Sequence, residues 1–322
     1  MKKIKINLEN DLTFKEGFSE FIYNCKVRNL RSGTIKHYEE AYISIIRYFD
    51  EDILIKNINK KVVDDFIIKC KENKKIGEQT LHTYARDLKT ILYFFMRMDY
   101  MKSFKITLPK VDRVAIETYT DDELRKLLEK PNLKKCTFSQ YRNYCIVCIL
   151  LSTGIRLSSL INIKIRDLDF DNEVVNITHT KNRKELIIPL NQTMIKTIKQ
   201  YLKVRQCKTI DDYLFCNVYG KQLTKSTLIS AIYKYNKSKG VEKTSIHKFR
   251  HTFAKKWVLE NKSLAVLQKV LGHSSLAITE NYINILISDI KKEMEDFNIL
   301  DEFNQEFIKI PKSKKTSNLN LF

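Results

Sequence analysis

Glycine and proline are scarce in this 322-residue sequence, 7 and 4 in all, which excludes collagen-like and Gly/Pro-rich low-complexity classes. No run reaches the roughly 18–20 consecutive apolar residues of a membrane-spanning helix. The opening MKKIKINLENDL carries charge but no apolar h-region or small-residue cleavage site, so neither a span nor a secretory signal is expected, and the expected location is cytoplasmic. The 7 cysteines are odd in number and scattered through apolar stretches without a disulfide framework. Cys145 and Cys148 form one CxxC, but it lies inside YRNYCIVCILL, which reads as a buried helix, and no second CxxC accompanies it. Acidic residues are also in deficit, 38 against 58 basic, for a formal net charge of +20.

A field of that sign favours a polyanionic partner, nucleic acid first and an acidic membrane surface second. A compositional bias towards Lys, Ile and Asn would enrich lysine without placing it. The excess is spread along the chain: 22 basic and 16 acidic residues up to Asp112, 36 and 22 after it. With 43% hydrophobic and 30% charged residues the chain folds, and its length fits two domains.

Helical periodicity with few breakers covers 13–27, 32–49, 60–73 and 78–100, punctuated by Ser32, Gly33, Gly77 and the 57–59 connection. The expected result is a helical first domain over 1–101. Its second and fourth segments share a plan, GTIKHYEEAYISIIRYF and QTLHTYARDLKTILYFF, a weak sign of duplication. From these, Lys36, His37, Tyr38, His82, Thr83, Tyr84, Arg86 and Lys89 are candidate DNA contacts, since such side chains bind phosphates readily; an ordinary solvated helix face explains them equally well.

Residues 102–117 lose the helical period and hold Pro109 among basic residues, as an extended interdomain linker would. A second domain is expected over 118–300. It starts with TYTDDELRKLLEK, whose Thr120 reads as an N-cap followed by acids and then bases. A helix over 141–152 leads into β-branched runs at 174–178 and 186–188, with turn residues at 169–172 and 181–184, which predicts a small antiparallel sheet of about three strands. Helical patterns resume at 194–205, 225–237, 245–259, 263–271 and 275–297. The fold class is thus mainly α with a small antiparallel sheet, and a basic tail, 301–322, follows.

Four stretches hold the polar residues that are hardest to explain as core or solvated face, although a lysine in a hairpin turn is by itself ordinarily solvated. In LSTGIRLS, Gly154 frees the backbone just before Arg156, a cation between apolar neighbours that needs an anionic partner. Lys181 stands at the mouth of the hairpin. In SIHKFRHTF, His247 and Arg250 lie three apart near a helix N-terminus, where the dipole favours anions. In LGHSS, Gly272 suits a left-handed helix stop that leaves His273 in the bend, and Tyr282 follows nine residues later. His247 and His251 are four apart, as in a zinc HExxH motif, but Lys248 stands among them instead of a Glu base, so no metal site is expected and His251 reads as structural.

In order and spacing, TGIR, the hairpin lysine, HKFRH and LGHSS followed by Tyr resemble the catalytic boxes of tyrosine recombinases, the phage integrase family. The helical first domain resembles the family's core-binding, SAM-like domain. The resemblance implies a site made of Arg156, Lys181, His247, Arg250, His273 and the nucleophile Tyr282. It implies that the arginines clamp the phosphate, His247 or the cationic field assists loss of the phenolic proton, Lys181 protonates the leaving 5′-oxygen and His273 hydrogen-bonds the phosphate. A 3′-phosphotyrosyl link would store the bond, so no cofactor is expected.

The resemblance also implies a C-shaped two-domain clamp on double-stranded DNA, nucleoid association, a homodimer on each inverted-repeat core site, a homotetramer in the synapse and exchange through a Holliday junction. An accessory directionality protein is a further expected partner, and the tail is expected to dock on a neighbouring protomer. The wording of LSSLINIKIRDLDF is similar to integrases of mobile elements, the preferred role. Xer-type resolution of chromosome or plasmid dimers is the alternative, and a type IB topoisomerase is the alternative from another class. Three positions depart from the family pattern: Ser159, where Glu is usual; Asn182 in place of a hairpin glycine; and Phe249, where Leu is commoner.

Overall fold

The computed structural model describes residues 12–112, 116–178, 185–273, 275–276 and 279. The chain divides into two compact units, Met1–Val114 and Ala115–Phe322.

Unit 1 is a four-helix assembly among the described residues: α1 (Phe14–Val27), α2 (Ser32–Ile45), α3 (Lys60–Glu72) and α4 (Glu78–Arg97). Thr13 starts α1 through a capping box, its hydroxyl accepting from the Glu16 amide while the Glu16 carboxylate accepts from the Thr13 amide. Asn59 caps α3 in the same sense, accepting from Lys61 and Val62. Along α4 the buried Leu81, Ala85, Leu88, Leu92 and Phe95 recur every three or four residues, which makes one continuous core face. The core is rich in phenylalanine. Phe14 packs on Phe49 with ring centroids 4.8 Å apart, and Phe49 on Phe66 at 5.8 Å. The second helix stops at Ile45 and not at 49, although the Phe49 amide still bonds to the Ile45 carbonyl and its ring lies buried in the core. Beyond α4 the chain lacks regular structure up to 112, yet Met101 and Ile106 are buried in the unit 1 core.

Unit 2 is built around α6 (Phe138–Thr153). Tyr141, Cys145, Ile146, Val147, Ile149 and Leu150 are buried on successive faces of this helix, and a helix apolar all round can only sit in the middle of a domain. It begins at Phe138, ahead of the expected 141, because Thr137 and Gln140 form a capping box. Burial pushes the Cys145 thiol up and the Cys148 thiol up to about 11, so both stay protonated at neutral pH. A short α5 (Asp121–Leu127), capped by Thr120 with Glu123, precedes it, and α7 (Leu157–Leu160) follows.

The sheet is three-stranded and antiparallel in the order β1 (Leu168–Asp169), β2 (Val174–Ile177), β3 (Leu186–Pro189), with Val175 opposite both Leu168 and Ile188. Val175, Ile177 and Ile188 turn inward. The Asp169 carboxylate accepts from the Asp171 and Asn172 amides, which makes the β1–β2 turn. Then come α8 (Gln192–Arg205), α9 (Lys225–Ser238), α10 (Ile246–Leu259) and α11 (Leu264–Leu271). α8, α9 and α10 each pack on α6, and α11 meets both α10 and β3. The entry segment of the unit is held by Tyr119: its amide donates to Thr252 Oγ1 at 2.9 Å and its ring lies 4.6 Å from Phe249.

Among the described residues no helix is long and apolar enough to cross a membrane. Apart from 275, 276 and 279, the segment expected as helix over 275–297 and the tail 301–322 lie outside the described residues.

Candidate active site

Two left-handed glycines set up the site. α6 ends on Gly154 at φ +61° and α11 on Gly272 at φ +60°, conformations in which a side chain costs roughly 1–2 kcal/mol. Both helix ends deliver backbone carbonyls to the same place. Arg156 follows Gly154 by two residues, and its Nη1 donates to the carbonyls of Leu271 and Gly272, both at 3.1 Å. Arg250, on the first turns of α10 and 6% exposed, donates from Nη1 to the Gly154 carbonyl at 2.6 Å and from Nη2 to the Leu271 carbonyl at 2.8 Å. The Leu271 oxygen thus takes a hydrogen bond from each of two guanidiniums.

His273, one residue past the α11 stop, joins them. Its Nε2 lies 2.8 Å from Arg250 Nη2 and its Nδ1 2.8 Å from Thr279 Oγ1. A guanidinium only donates, so Nε2 is the acceptor and the ring proton sits on Nδ1. Burial, then Arg250 and Arg156, pull the imidazole from its ordinary 6.5 to about 4, so it is neutral at physiological pH. A direct hydrogen bond from Nε2 to phosphate therefore requires that nitrogen to gain a proton and release Arg250.

Two cations brought to one oxygen repel each other, and a bound anion relieves that repulsion. Gly272 is needed chiefly for its φ: a Cβ there would be only slightly tight, 3.3 Å from a Leu186 methyl of β3, and in ordinary contact with Arg156 Nη1 at 3.5 Å.

Arg156, Arg250 and His273 are therefore brought together. His247 is exposed on the first turn of α10, one turn before Arg250. His251 is half-buried on the same helix, and burial, His247 and Arg250 lower its pKa. Lys181 and Tyr282 lie outside the described residues. Ser159, at the position where Glu is usual in the resembled family, is 4% exposed; a neutral hydroxyl there avoids burying a charge that would need its own partner. Phe249 is fully buried and packs on Tyr119. Thr279 was not singled out from sequence; its signal is its place between the histidine and tyrosine of one box.

In unit 1 the candidate DNA contacts fall on α2 and α4, which pack together. Lys36 is exposed and pairs with Glu40 at 3.8 Å. His37 Nε2 lies 3.1 Å from the buried Asp87 carboxylate, and Arg86 reaches the other oxygen of the same group with Nε and Nη2 at 3.2 Å. Tyr38 is half-buried, edge-on to Phe21 at 4.9 Å. Tyr84 packs against the core, His82 is half-buried, and the Thr83 hydroxyl bonds back to the Gln79 carbonyl. Lys89 donates to the Ile106 carbonyl at 2.9 Å and lies over the Tyr93 ring. Arg28, Arg86, Lys89 and Arg97 surround a cavity of about 350 Å³ walled by Tyr38, Tyr93 and Phe94. Asp87, the acid that gathers His37 and Arg86, was legible only as a polar residue in the core register of Tyr84, Ile91 and Phe94.

The phage integrase family profile matches residues 117–288, and that of the phage integrase SAM-like domain matches 13–120. The chain belongs to the phage integrase family. It is a site-specific tyrosine recombinase. A tyrosine recombinase of Pseudothermotoga lettingae is 28% identical over 308 residues, covering 90% of this chain and 98% of the relative. XerC of Thermodesulfovibrio yellowstonii is 29% identical, covering 83% and 90%. Among solved structures, the Tn1549 transposon integrase in complex with circular-intermediate DNA superposes with a TM-score of 0.69 at 21% identity, over 89% of this chain and 100% of that one. A lambda integrase dimer bound to a core site does so with 0.64 at 16%, over 84% and 95%. These likenesses establish that the recombinase has a mainly helical fold with a small antiparallel sheet in two domains.

Proposed function

We propose that this recombinase cleaves and rejoins double-stranded DNA at inverted-repeat core sites, with Tyr282 as nucleophile and Arg156, Lys181, His247, Arg250 and His273 around the scissile phosphate. The carrying observation is the convergence of the Arg156 and Arg250 guanidiniums on one carbonyl oxygen, with His273 bonded to Arg250. In this reading the non-bridging phosphate oxygens take the arginines' donors as charge builds on them. The Tyr282 oxygen bonds to phosphorus as its proton passes towards His247, and the P–O5′ bond breaks as Lys181 gives its proton to the leaving oxygen. The phosphodiester is exchanged for a phosphotyrosyl ester, and a second 5′-hydroxyl reverses the step. Neither a nucleotide nor a metal enters that balance.

The preferred role is integration and excision of a mobile element, through a dimer on each site, a tetrameric synapse and a Holliday junction; a lambda integrase tetramer bound to a Holliday junction is among the structural neighbours. Residues 1–101 serve as the core-binding domain, with the basic cavity on the DNA side, and 118–300 as the catalytic domain. Xer-type resolution is the second reading, favoured by the XerC name of a relative aligned over 90% of its length. Sequencing the DNA that stays covalently attached after denaturation of a mixture with source-genome fragments tests the proposal. Adducts at one inverted repeat, absent with Tyr282→Phe, are expected, and the flanking genes separate mobile element from Xer. Scattered adducts would point to a topoisomerase.

The tail 301–322 docks on a neighbouring protomer in this reading. Deleting everything after Phe297 is expected to weaken cooperative binding to a two-half-site duplex in a mobility-shift titration, and unchanged cooperativity and recombination would discard the docking.

A further inference from the structure

Arg142, on the second turn of α6, is 5% exposed, yet no carboxylate pairs with it among the described residues. Its Nη1 donates to the Cys216 carbonyl at 2.9 Å, and its Nε and Nη2 donate to Asn143 Oδ1 at 3.2 and 2.9 Å, so every partner is a neutral oxygen. A second hydrogen on each Nη is left over. The ionisable groups that act on this guanidinium are Tyr201 and Cys216, and burial holds both the phenol and the thiol protonated. Arg205, buried as well, differs: Asp212 lies 3.4 Å from its Nη1. A buried charge ordinarily has such a partner, because nothing else repays its removal from water.

Arg142 also lines a cavity of about 460 Å³ between α6 and α9, within the size range of small-ligand sites. Ser139, Gln140, Ser230 and Lys234 are among its other walls, and no acidic residue lines it. The Ser139 and Ser230 hydroxyls have no hydrogen-bond partner among the described residues, and Lys234 forms no ion pair there. Ser139 and Gln140 belong to the first turn of α6, where the helix dipole adds positive potential. From Tyr213 to Val241, a stretch that includes all of α9, the sequence holds no Asp or Glu. Cation, hydroxyl donors and helix dipole thus meet at one cavity with nothing negative to answer them.

We propose that this cavity binds a phosphate group, with Arg142 and Lys234 as its cations and the Ser139 and Ser230 hydroxyls as further donors. The site is distinct from the Arg156–Arg250 clamp, which stands at the other end of α6, about 18 Å along the helix from Arg142. The favoured ligand is a small phosphate compound, because a guanidinium 5% exposed is reached more easily by a small anion than by a duplex backbone. A DNA backbone phosphate is the other source of the same group, and the test separates the two.

Inorganic phosphate is titrated into the full chain without DNA, at an ionic strength held constant with chloride, and amide resonances are followed by ¹⁵N NMR. The amides of 139–143 and 227–234 are expected to shift together and to saturate. Ser230→Asp, which sets a carboxylate on the cavity wall at an exposed helix position, is expected to weaken that response by about tenfold, as for lost hydrogen bonds to a charged group, and to leave any response at 154–156 and 271–272 as it was. Arg142→Gln is expected to abolish it; if that variant does not fold, Ser230→Asp carries the test. Affinity for a duplex of unrelated sequence is measured beside it, with Ser226→Asp, on α9 but outside the cavity, as the control for added charge. Duplex binding equal in the two aspartate variants assigns the site to a small anion. Weaker binding in Ser230→Asp than in the control, with a salt slope lower by about one, assigns the phosphate to the DNA backbone. A phosphate response at 139–143 and 227–234 that Ser230→Asp leaves unchanged overturns the inference, and so does the absence of both that response and a duplex effect beyond the control.

Discussion

Replacing Arg250 by alanine is expected to lower single-turnover cleavage by about a thousandfold, the scale seen when preorganised donors to a developing oxyanion are removed. Arg250 bridges the described part of the site: it donates to carbonyls at the ends of two helices and meets the lone pair of His273. On the proposed reading its loss removes phosphate donors and also the contact to His273, so the effect exceeds that of a single contact. Arg250→Lys keeps the charge but not the planar fork, and about a hundredfold loss is expected, because one ammonium cannot serve Gly154, Leu271 and a phosphate together. DNA affinity should fall only a few-fold, and the salt dependence of binding should be nearly unchanged, since binding is shared among many phosphate contacts. Cleavage within threefold of wild type in the alanine variant would remove Arg250 from the chemistry.

Gly154→Ala is expected to destabilise the catalytic unit by about 3 kcal/mol, combining a left-handed φ with overpacking. The φ is +61°, and an added Cβ would stand 2.6 Å from the Phe253 ring and 2.8 Å from a Leu271 methyl. Neither neighbour yields easily: Leu271 is fully buried at the end of α11, and Phe253 packs on Trp257 at 5.8 Å. The strain falls on the two residues whose carbonyls receive Arg250, so activity should drop more than the folded fraction does. Chemical denaturation followed by near-ultraviolet circular dichroism, alongside cleavage per folded molecule, checks both parts. A midpoint equal to wild type would contradict the packing described.

What the sequence made legible is what depends on short-range chemistry. Thr120 was readable as a cap because acids follow it at once, and Gly272 as a left-handed stop because serines follow the bend. The three-stranded sheet followed from β-branched runs between turn residues. Missed features depend on distant partners. Phe49, just past the end of α2, packs on Phe14 and Phe66, and the helical period of 32–49 carries no sign of either partner. In the site, Arg156 was visible as a cation between apolar residues and Arg250 as the neighbour of His247 near a helix N-terminus, but their partners here are backbone carbonyls 115 and 96 residues away, and a carbonyl has no sequence signature. Asp87 and Thr279 share that reason: each is a short polar residue whose place in the core is settled only once His37 or His273 arrives beside it.

The central claim is that a tyrosine of this chain becomes esterified to DNA at a site built by Arg156, Arg250 and His273. Protease and nuclease digestion of the trapped protein–DNA adduct, followed by mass spectrometry of the modified peptide, tests it directly. The account predicts one modified peptide, the one that contains Tyr282, carrying a 3′-phosphonucleotide, and its disappearance in both Tyr282→Phe and Arg250→Ala. A nucleotide found on any other side chain, or an adduct that persists in Tyr282→Phe, would contradict it.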